Sequence, residues 1–149
     1  FKQVNDQHGH QVGDEVLKGV VRHLNQHLRP YDKVYRYGGD EFLIALPGAD
    51  LAIGQAVIKR VREELARRPM VAGRDGVALP VSASFGLALL DPAVRAEEAI
   101  ERADQALLLA KAAGRNSAIS WDSTVTTGTR LPRLQIDDPV LLASLGPDR

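Results

Sequence analysis

Two adjacent glycines and two adjacent carboxylates sit together in Arg36-Tyr37-Gly38-Gly39-Asp40-Glu41-Phe42. Strand-like residues lie on both sides, Val34-Tyr35 before and Leu43-Ile44-Ala45-Leu46 after. Gly38 and Gly39 permit positive φ and carry no side chains, so a ligand can lie against this backbone. Asp40 and Glu41 stand at the start of a strand, where alternation sends neighbouring side chains to opposite faces. Such a pair does not share one metal in the simplest way, and its members are expected to do different jobs. Taken alone, a Gly-Gly-Asp-Glu turn is more often a charged hairpin tip than a reactive site.

Three other groups have the right chemistry to join it. Lys111 and Arg115 flank Gly114, and two cations this close can clamp phosphate oxygens; equally, cations in a last helical turn complement the helix dipole. Asn5-Asp6 and Gly13-Asp14 offer an amide and carboxylates that could read a guanine edge, or simply a turn residue at Asn5 and a helix cap at Asp14. Arg29-Pro30-Tyr31-Asp32 is a cation followed by a turn just ahead of the hairpin.

The elements that must position these groups follow from periodicity. Val16, Leu17, Val20, Val21, Leu24 and Leu28 recur at helical spacing and predict a helix over 15–28, capped by Asp14 and closed by Pro30. Two short strands, 33–37 and 42–46, join through the glycine-acid turn. A helix is predicted over 51–67. From Val77 to Leu89 every odd position is apolar, the cleanest strand pattern in the chain, with Pro80 marking an edge or a bulge. A helix over about 96–113 ends with Gly114 as its C′ residue, and a short strand covers about 117–121. Residues 122–149 show no sustained period and read as an irregular tail, with a short docked helix at Val140–Leu145. The antiparallel hairpin among helices gives an α+β fold rather than a doubly wound parallel sheet. A split βαβ core would need a strand before the first helix, and Phe1–Val4 is too short to be that strand.

Composition narrows the function classes. The 149 residues are 44% hydrophobic and 26% charged, an ordinary globular balance for one domain. Lys+Arg and Asp+Glu are equal at 19 each, which argues against a general polyanion surface and so against a nucleic-acid polymer as partner. With no cysteine there is neither a disulfide framework nor a thiolate metal site. No apolar run is long enough to span a membrane, and no membrane contact is expected. The opening Phe1-Lys2-Gln3-Val4-Asn5-Asp6 has neither a Met start nor a leader, so the chain is expected to be part of something longer.

In combination and order, the groups resemble the GGDEF-domain diguanylate cyclases from Phe1 to about Trp121. The resemblance rests on Phe1-Lys2-Gln3-Val4-Asn5-Asp6, His8-Gly9-His10, Gly13-Asp14, the 36–42 hairpin, Ser84-Phe85-Gly86, Ala103-Asp104-Gln105-Ala106-Leu107, and Ala110-Lys111 with Gly114-Arg115-Asn116. It implies a fold related to nucleotide cyclases and polymerase palms, with a ferredoxin-like βαββαβ core in domain 1–121. It implies a reaction in which two GTP molecules, one on each of two facing domains of a homodimer, condense to cyclic di-GMP and two pyrophosphates. Asp40 would then bind Mg²⁺ (or Mn²⁺), and Glu41 would be the adjacent essential acid near the attacking 3′-hydroxyl. Gly38 and Gly39 would admit the nucleotide, Asn5 and Asp14 would hold guanine, and Lys111 and Arg115 would take the terminal phosphates, helped by the amides near Phe1 and Lys2. Arg29 and Asp32 match the family's RxxD inhibitory site for the product, with five residues between Asp32 and Gly38; Arg60 stands where a secondary arginine helps. A cytoplasmic output domain behind an upstream sensory domain is the implied setting. A silent domain that only binds GTP or cyclic di-GMP is the alternative.

The sequence departs from the family at its front. There the family carries a helix and an Asp-x-Asp strand immediately before the residue matching Phe1, and the first of those aspartates is a metal ligand. Lacking it, this chain is expected to hold Mg²⁺ and triphosphate poorly, and its sheet to lack a central strand. Leu108 stands where the family usually has Tyr, a packing change.

Overall fold

The structure is a computed structural model and describes residues 1–93, 95–121 and 138–147, the last of these by backbone alone. A five-stranded sheet runs in the order β1-β2-β7-β5-β6, with a separate hairpin of β3 and β4. The strands are β1 (Lys33–Gly38), β2 (Glu41–Ala45), β3 (Met70–Ala72), β4 (Val77–Leu79), β5 (Val81–Leu90), β6 (Ala118–Ser120) and β7 (Asp138–Pro147). The helices are α1 (Lys2–His8), α2 (His10–His27), α3 (Leu51–Arg67) and α4 (Ala96–Ala112). All pairings in the large sheet are antiparallel except β5 with β6. This is the expected α+β class.

The alternation of β5 explains the layering. Val81, Ala83, Phe85 and Leu87 join one core with Phe42 and Ile44 of β2, Val16, Leu17, Val20 and Leu24 of α2, and Ile58, Val61 and Leu65 of α3. The other face of β5 meets α4, where Ala88, Ala103, Ala106, Leu107 and Trp121 form a second cluster. Here a side chain is excluded altogether: a methyl group on Gly86 would collide with the Ala103 carbonyl and the Leu107 amide. The alanines of α4 and this glycine bring helix and strand into backbone contact.

Several expectations are corrected. The helix predicted from 15 begins at His10, so Asp14 lies inside α2 and caps nothing; the preceding break is at Gly9, whose amide donates to the Asn5 carbonyl at 2.8 Å. Asn5 is helical, within α1, rather than a turn residue. The long strand from Val77 is two strands, β4 and β5, because Pro80 lacks the donor to continue the ladder. Helix α3 matches its predicted span, and Asp50 caps it by accepting from the Ile53 amide at 2.8 Å. Gly114 is the predicted C′ residue of α4, with φ +109. Its amide donates to Lys111 and the Arg115 amide to Ala110, the paired bonds of a Schellman stop.

The largest correction concerns the tail. Val140–Leu145 is strand, not helix. It lies within β7, which fills the centre of the sheet between β2 and β5. The central position that the sequence reading left empty is therefore occupied, and the edges of β2 and β5 are paired rather than exposed. Of the expected irregular tail, residues 122–137 lie outside the described residues.

Candidate active site

The hairpin of β1 and β2 carries the glycine-acid motif to one end of the sheet. Its register shifts between Arg36 and Gly38, so Tyr37 is an extra residue on β1 and the strand bends just before the turn. Gly39 turns with φ +33, a conformation that costs a residue with a Cβ. Arg36 straps this turn, donating from Nε and Nη2 to the Gly39 carbonyl at 3.0 and 2.8 Å. Nothing lies within 4 Å of where a Cβ would stand on Gly38 or Gly39, so the space over both remains open. Asp40 completes the turn, and Glu41 is the first residue of β2; both are half-buried.

Facing the turn are the two N-terminal helices. A cleft of about 400 Å³ is lined by Phe1, Lys2, Asn5 and Asp6 of the first helical turns, by His10 and Asp14 of α2, and by Arg36, Gly39 and Asp40 of the hairpin. A neighbouring cavity of about 630 Å³ shares Asp14 and Arg36 and continues over Leu17, Lys18, Val21, Arg22, Val34 and Phe42. The first offers polar groups and three carboxylates, Asp6, Asp14 and Asp40, the second a mostly apolar wall. Asn5 reaches this position only because residue 13 is glycine: a methyl group on Gly13 would strike the Asn5 side-chain oxygen.

The far side of the turn is built by α4. Lys111 Nζ lies 3.5 Å from Glu41 Oε1, linking the end of α4 to the start of β2. Arg115 follows the helix stop with φ +64 and is exposed. Thus Asn5, Asp14, Gly39, Asp40, Phe1 and Lys2 line one cleft and Gly38 adjoins it, whereas Lys111 and Arg115 are not among its lining residues and Lys111 meets the hairpin through Glu41. Arg36, His10 and Leu17 were given no site role from sequence. Arg36 lay within the motif, and only its contact with the turn reveals its part.

The Arg29–Asp32 pair lies at the other end of β1. Arg29 donates from Nε and Nη2 to Asp32, with 3.1 Å to the nearer oxygen from Nη2, and its own amide donates to Asp32 Oδ2 at 2.7 Å. Its guanidinium lies over the Tyr31 ring at 4.6 Å and also donates to the Pro47 carbonyl. Arg60 is not drawn to this pair; its Nη2 donates to the His27 carbonyl at 2.8 Å, at the end of α2. Among the described residues no group of three or more His, Asp or Glu side chains could hold a metal ion, and no helix is long and apolar enough to cross a membrane.

A mostly antiparallel sheet with an acid-bearing hairpin at one end and helices on both faces defines an α+β, palm-like domain. The family described as diguanylate cyclase, GGDEF domain, matches residues 1–117, and the chain belongs to that family. It is 39% identical over 116 residues to the diguanylate cyclase DgcP of Pseudomonas aeruginosa, covering 78% of this chain and 17% of that protein. It is 35% identical over 125 residues to the diguanylate cyclase DosC of Escherichia coli, covering 84% of this chain and 27% of that one. The chain therefore spans about a quarter or less of these relatives' length. Among solved structures, the diguanylate cyclase SiaD of Pseudomonas aeruginosa, in complex with its activator SiaC, superposes with TM-score 0.74 at 39% identity, covering 80% of this chain and 45% of that one. The GGDEF domain of DgcB from Caulobacter crescentus, in complex with c-di-GMP, gives TM-score 0.74 at 29% identity, covering 80% and 70%.

Proposed function

We propose that this domain condenses two GTP molecules into cyclic di-GMP. The observation that carries the reading is a cleft lined by Asn5 and Asp14 from α1 and α2 and by Asp40 from the hairpin, with Glu41, the residue after Asp40, paired to Lys111 of α4. Asn5 and Asp14 together present a donor and acceptors suited to the guanine edge, and the apolar wall beyond Asp14 offers a surface for the base. Lys111 and Arg115 neutralise the terminal phosphates, with the amides near Phe1 and Lys2 on the opposite rim. In the reaction each GTP's 3′-hydroxyl oxygen attacks the α-phosphorus of the other. The bond from that phosphorus to the β-phosphate bridging oxygen breaks, and pyrophosphate leaves with its electron pair. One domain holds one GTP, so two copies must face each other.

Asp40 fits a divalent cation of the Mg²⁺ or Mn²⁺ kind: it is a half-buried carboxylate beside open space where phosphate oxygens would complete the coordination. Such a cation neutralises charge building on the transferred phosphoryl group. Glu41, held by Lys111, sits beside it to orient the attacking hydroxyl. Binding of a fluorescent GTP analogue tests the site directly: Asp14→Ala should weaken it about tenfold while an ATP analogue binds poorly throughout. Equal binding of both nucleotides would contradict the guanine assignment.

Product inhibition at Arg29 and Asp32 is part of the main reading, with Arg60 joining only if it leaves His27.

A further inference from the structure

Helix α3 and strand β6 border a cavity of about 420 Å³ that shares no lining residue with the cleft at the hairpin. Gln55, Lys59 and Arg62 of α3 form one side, Ser117 and Ser120 lie on the other, and the buried Leu87 of β5 stands at its base. Positions 55, 59 and 62 follow at helical spacing, so their side chains share one face of α3. Arg60, two positions before Arg62, serves another face, where it donates to the His27 carbonyl. Neither Arg29 nor Asp32 lines this cavity, which is thus separate from that pair as well.

Two side-chain bonds bridge the helix to the strand and its approach. Gln55 Nε2 donates to Ser120 Oγ at 2.9 Å, and Arg62 Nη1 donates to the Asn116 carbonyl. Lys59 lies between these bridges along α3 and makes no hydrogen bond or ion pair among the described residues. Arg62 Nε is buried and has no hydrogen-bond partner among them either. Ser120 accepts from Gln55, which leaves its own hydroxyl proton to donate. Ser117 already donates to the Ala110 carbonyl at 3.0 Å. Three unused donors, two of them on cations, therefore border one space. No carboxylate is among its described lining residues. Glu63 lines a different cavity, of about 320 Å³, which Arg62 also borders.

A buried donor without an acceptor is unfavourable, and more so when it carries charge. An anion that accepts from Arg62 Nε and Lys59 removes that penalty. A phosphoryl group fits the set, with several acceptor oxygens and a negative charge that answers both cations. The volume lies in the lower part of the range of small-molecule sites and leaves room for a modest body beyond the phosphate.

We propose that the cavity between α3 and β6 binds the phosphoryl group of a small molecule through Lys59, Arg62 and Ser120. The site does not depend on the GTP reading of the hairpin cleft.

NMR titration of the full, isotope-labelled chain at constant ionic strength tests this with two probes, inorganic phosphate and phenyl phosphate. Reading each amide separately distinguishes this site from any phosphate held near the hairpin. The amides of Lys59, Arg62 and residues 117–120 should shift together and saturate in the millimolar range or below. Tighter binding of phenyl phosphate identifies a phosphate monoester as the ligand class and equal binding the free ion; either result upholds the site. Absent or unsaturable shifts at these amides would overturn it. Lys59→Gln, a change at an exposed position, should weaken binding about tenfold and leave the melting temperature unchanged. Arg74→Gln removes a cation from the exposed turn between β3 and β4 and should leave the affinity at wild type. Wild-type affinity in Lys59→Gln, or equal weakening in Arg74→Gln, would reduce the effect to general charge attraction and overturn the proposal.

Discussion

Glu41 and Lys111, seventy residues apart in the chain, meet at 3.5 Å between Oε1 and Nζ. One opens β2 and the other lies in the last turn of α4, so their pairing ties the hairpin to the end of that helix. Both are roughly one-third exposed at the side chain, so the bond itself adds little stability. Under the proposed GTP reading, the pairing holds the Lys111 cation for the terminal phosphates. Lys111→Ala should leave thermal stability within about 0.5 kcal/mol of wild type and weaken GTP-analogue binding about tenfold. Unchanged binding would remove Lys111 from the site.

Gly13→Ala tests the guanine wall without touching a ligand group. The added methyl must displace the Asn5 side chain. Loss of one donor–acceptor pair should reduce GTP-analogue affinity about tenfold or more and narrow the preference over ATP. A full preference for guanine in this variant would show that Asn5 does not read the base.

Gly86→Ala addresses the fold alone. A methyl group there meets backbone atoms of α4, which cannot swing aside as a side-chain tip would. Chemical denaturation should show a loss of about 3 kcal/mol, with Ala83→Gly, on the opposite face of β5, costing less. Equal losses would mean that α4 does not rest on the strand as described.

Arg29→Ala should relieve inhibition by added cyclic di-GMP without abolishing synthesis. Arg29 is the partner of buried Asp32, so a parallel melting curve is needed to separate lost binding from lost stability. Inhibition identical to wild type would sink the assignment of this pair to the product.

His23 gives the chain an acid-sensitive point. It is buried, and burial holds its pKa below the usual 6.5, partly offset by the Nε2 hydrogen bond to the Val61 carbonyl at 3.2 Å. A depressed folded value means that its contribution is complete above about 6.5 and is lost as pH falls through the folded value, because the unfolded chain binds the proton more readily. The melting temperature should therefore drop between about pH 7 and about pH 5 by more in wild type than in His23→Gln. Parallel curves would rule His23 out as the cause.

Much of this architecture could be read from residue patterns, and the failures have definite causes. Helix α3 and the 33–46 hairpin were legible because strong local signals act there: sustained apolar spacing in one, glycines beside alternating residues in the other. Helix α1 has a single buried apolar residue, Val4, and offers no period to read. The first turn of α2 is His10-Gln11-Val12-Gly13, equally silent, which is why Asp14 looked like a cap. β7 contains two prolines and a glycine and forms only because β2 and β5 supply edges on both sides. Of the residues that line the cleft, Asn5, Asp14 and Asp40 stood out in the motif order. The Glu41–Lys111 contact and the strap from Arg36 depend on packing between distant segments, which no local pattern encodes.

The most direct test is product formation from GTP with saturating Mn²⁺, followed by mass spectrometry, for the chain beside Asp40→Ala and Glu41→Ala. The account predicts slow but measurable cyclic di-GMP from wild type and at least a hundredfold less, roughly, from either variant. Undiminished product in both variants would contradict the chemistry assigned to the hairpin, and GTP binding without any product from wild type would contradict the cyclase reading.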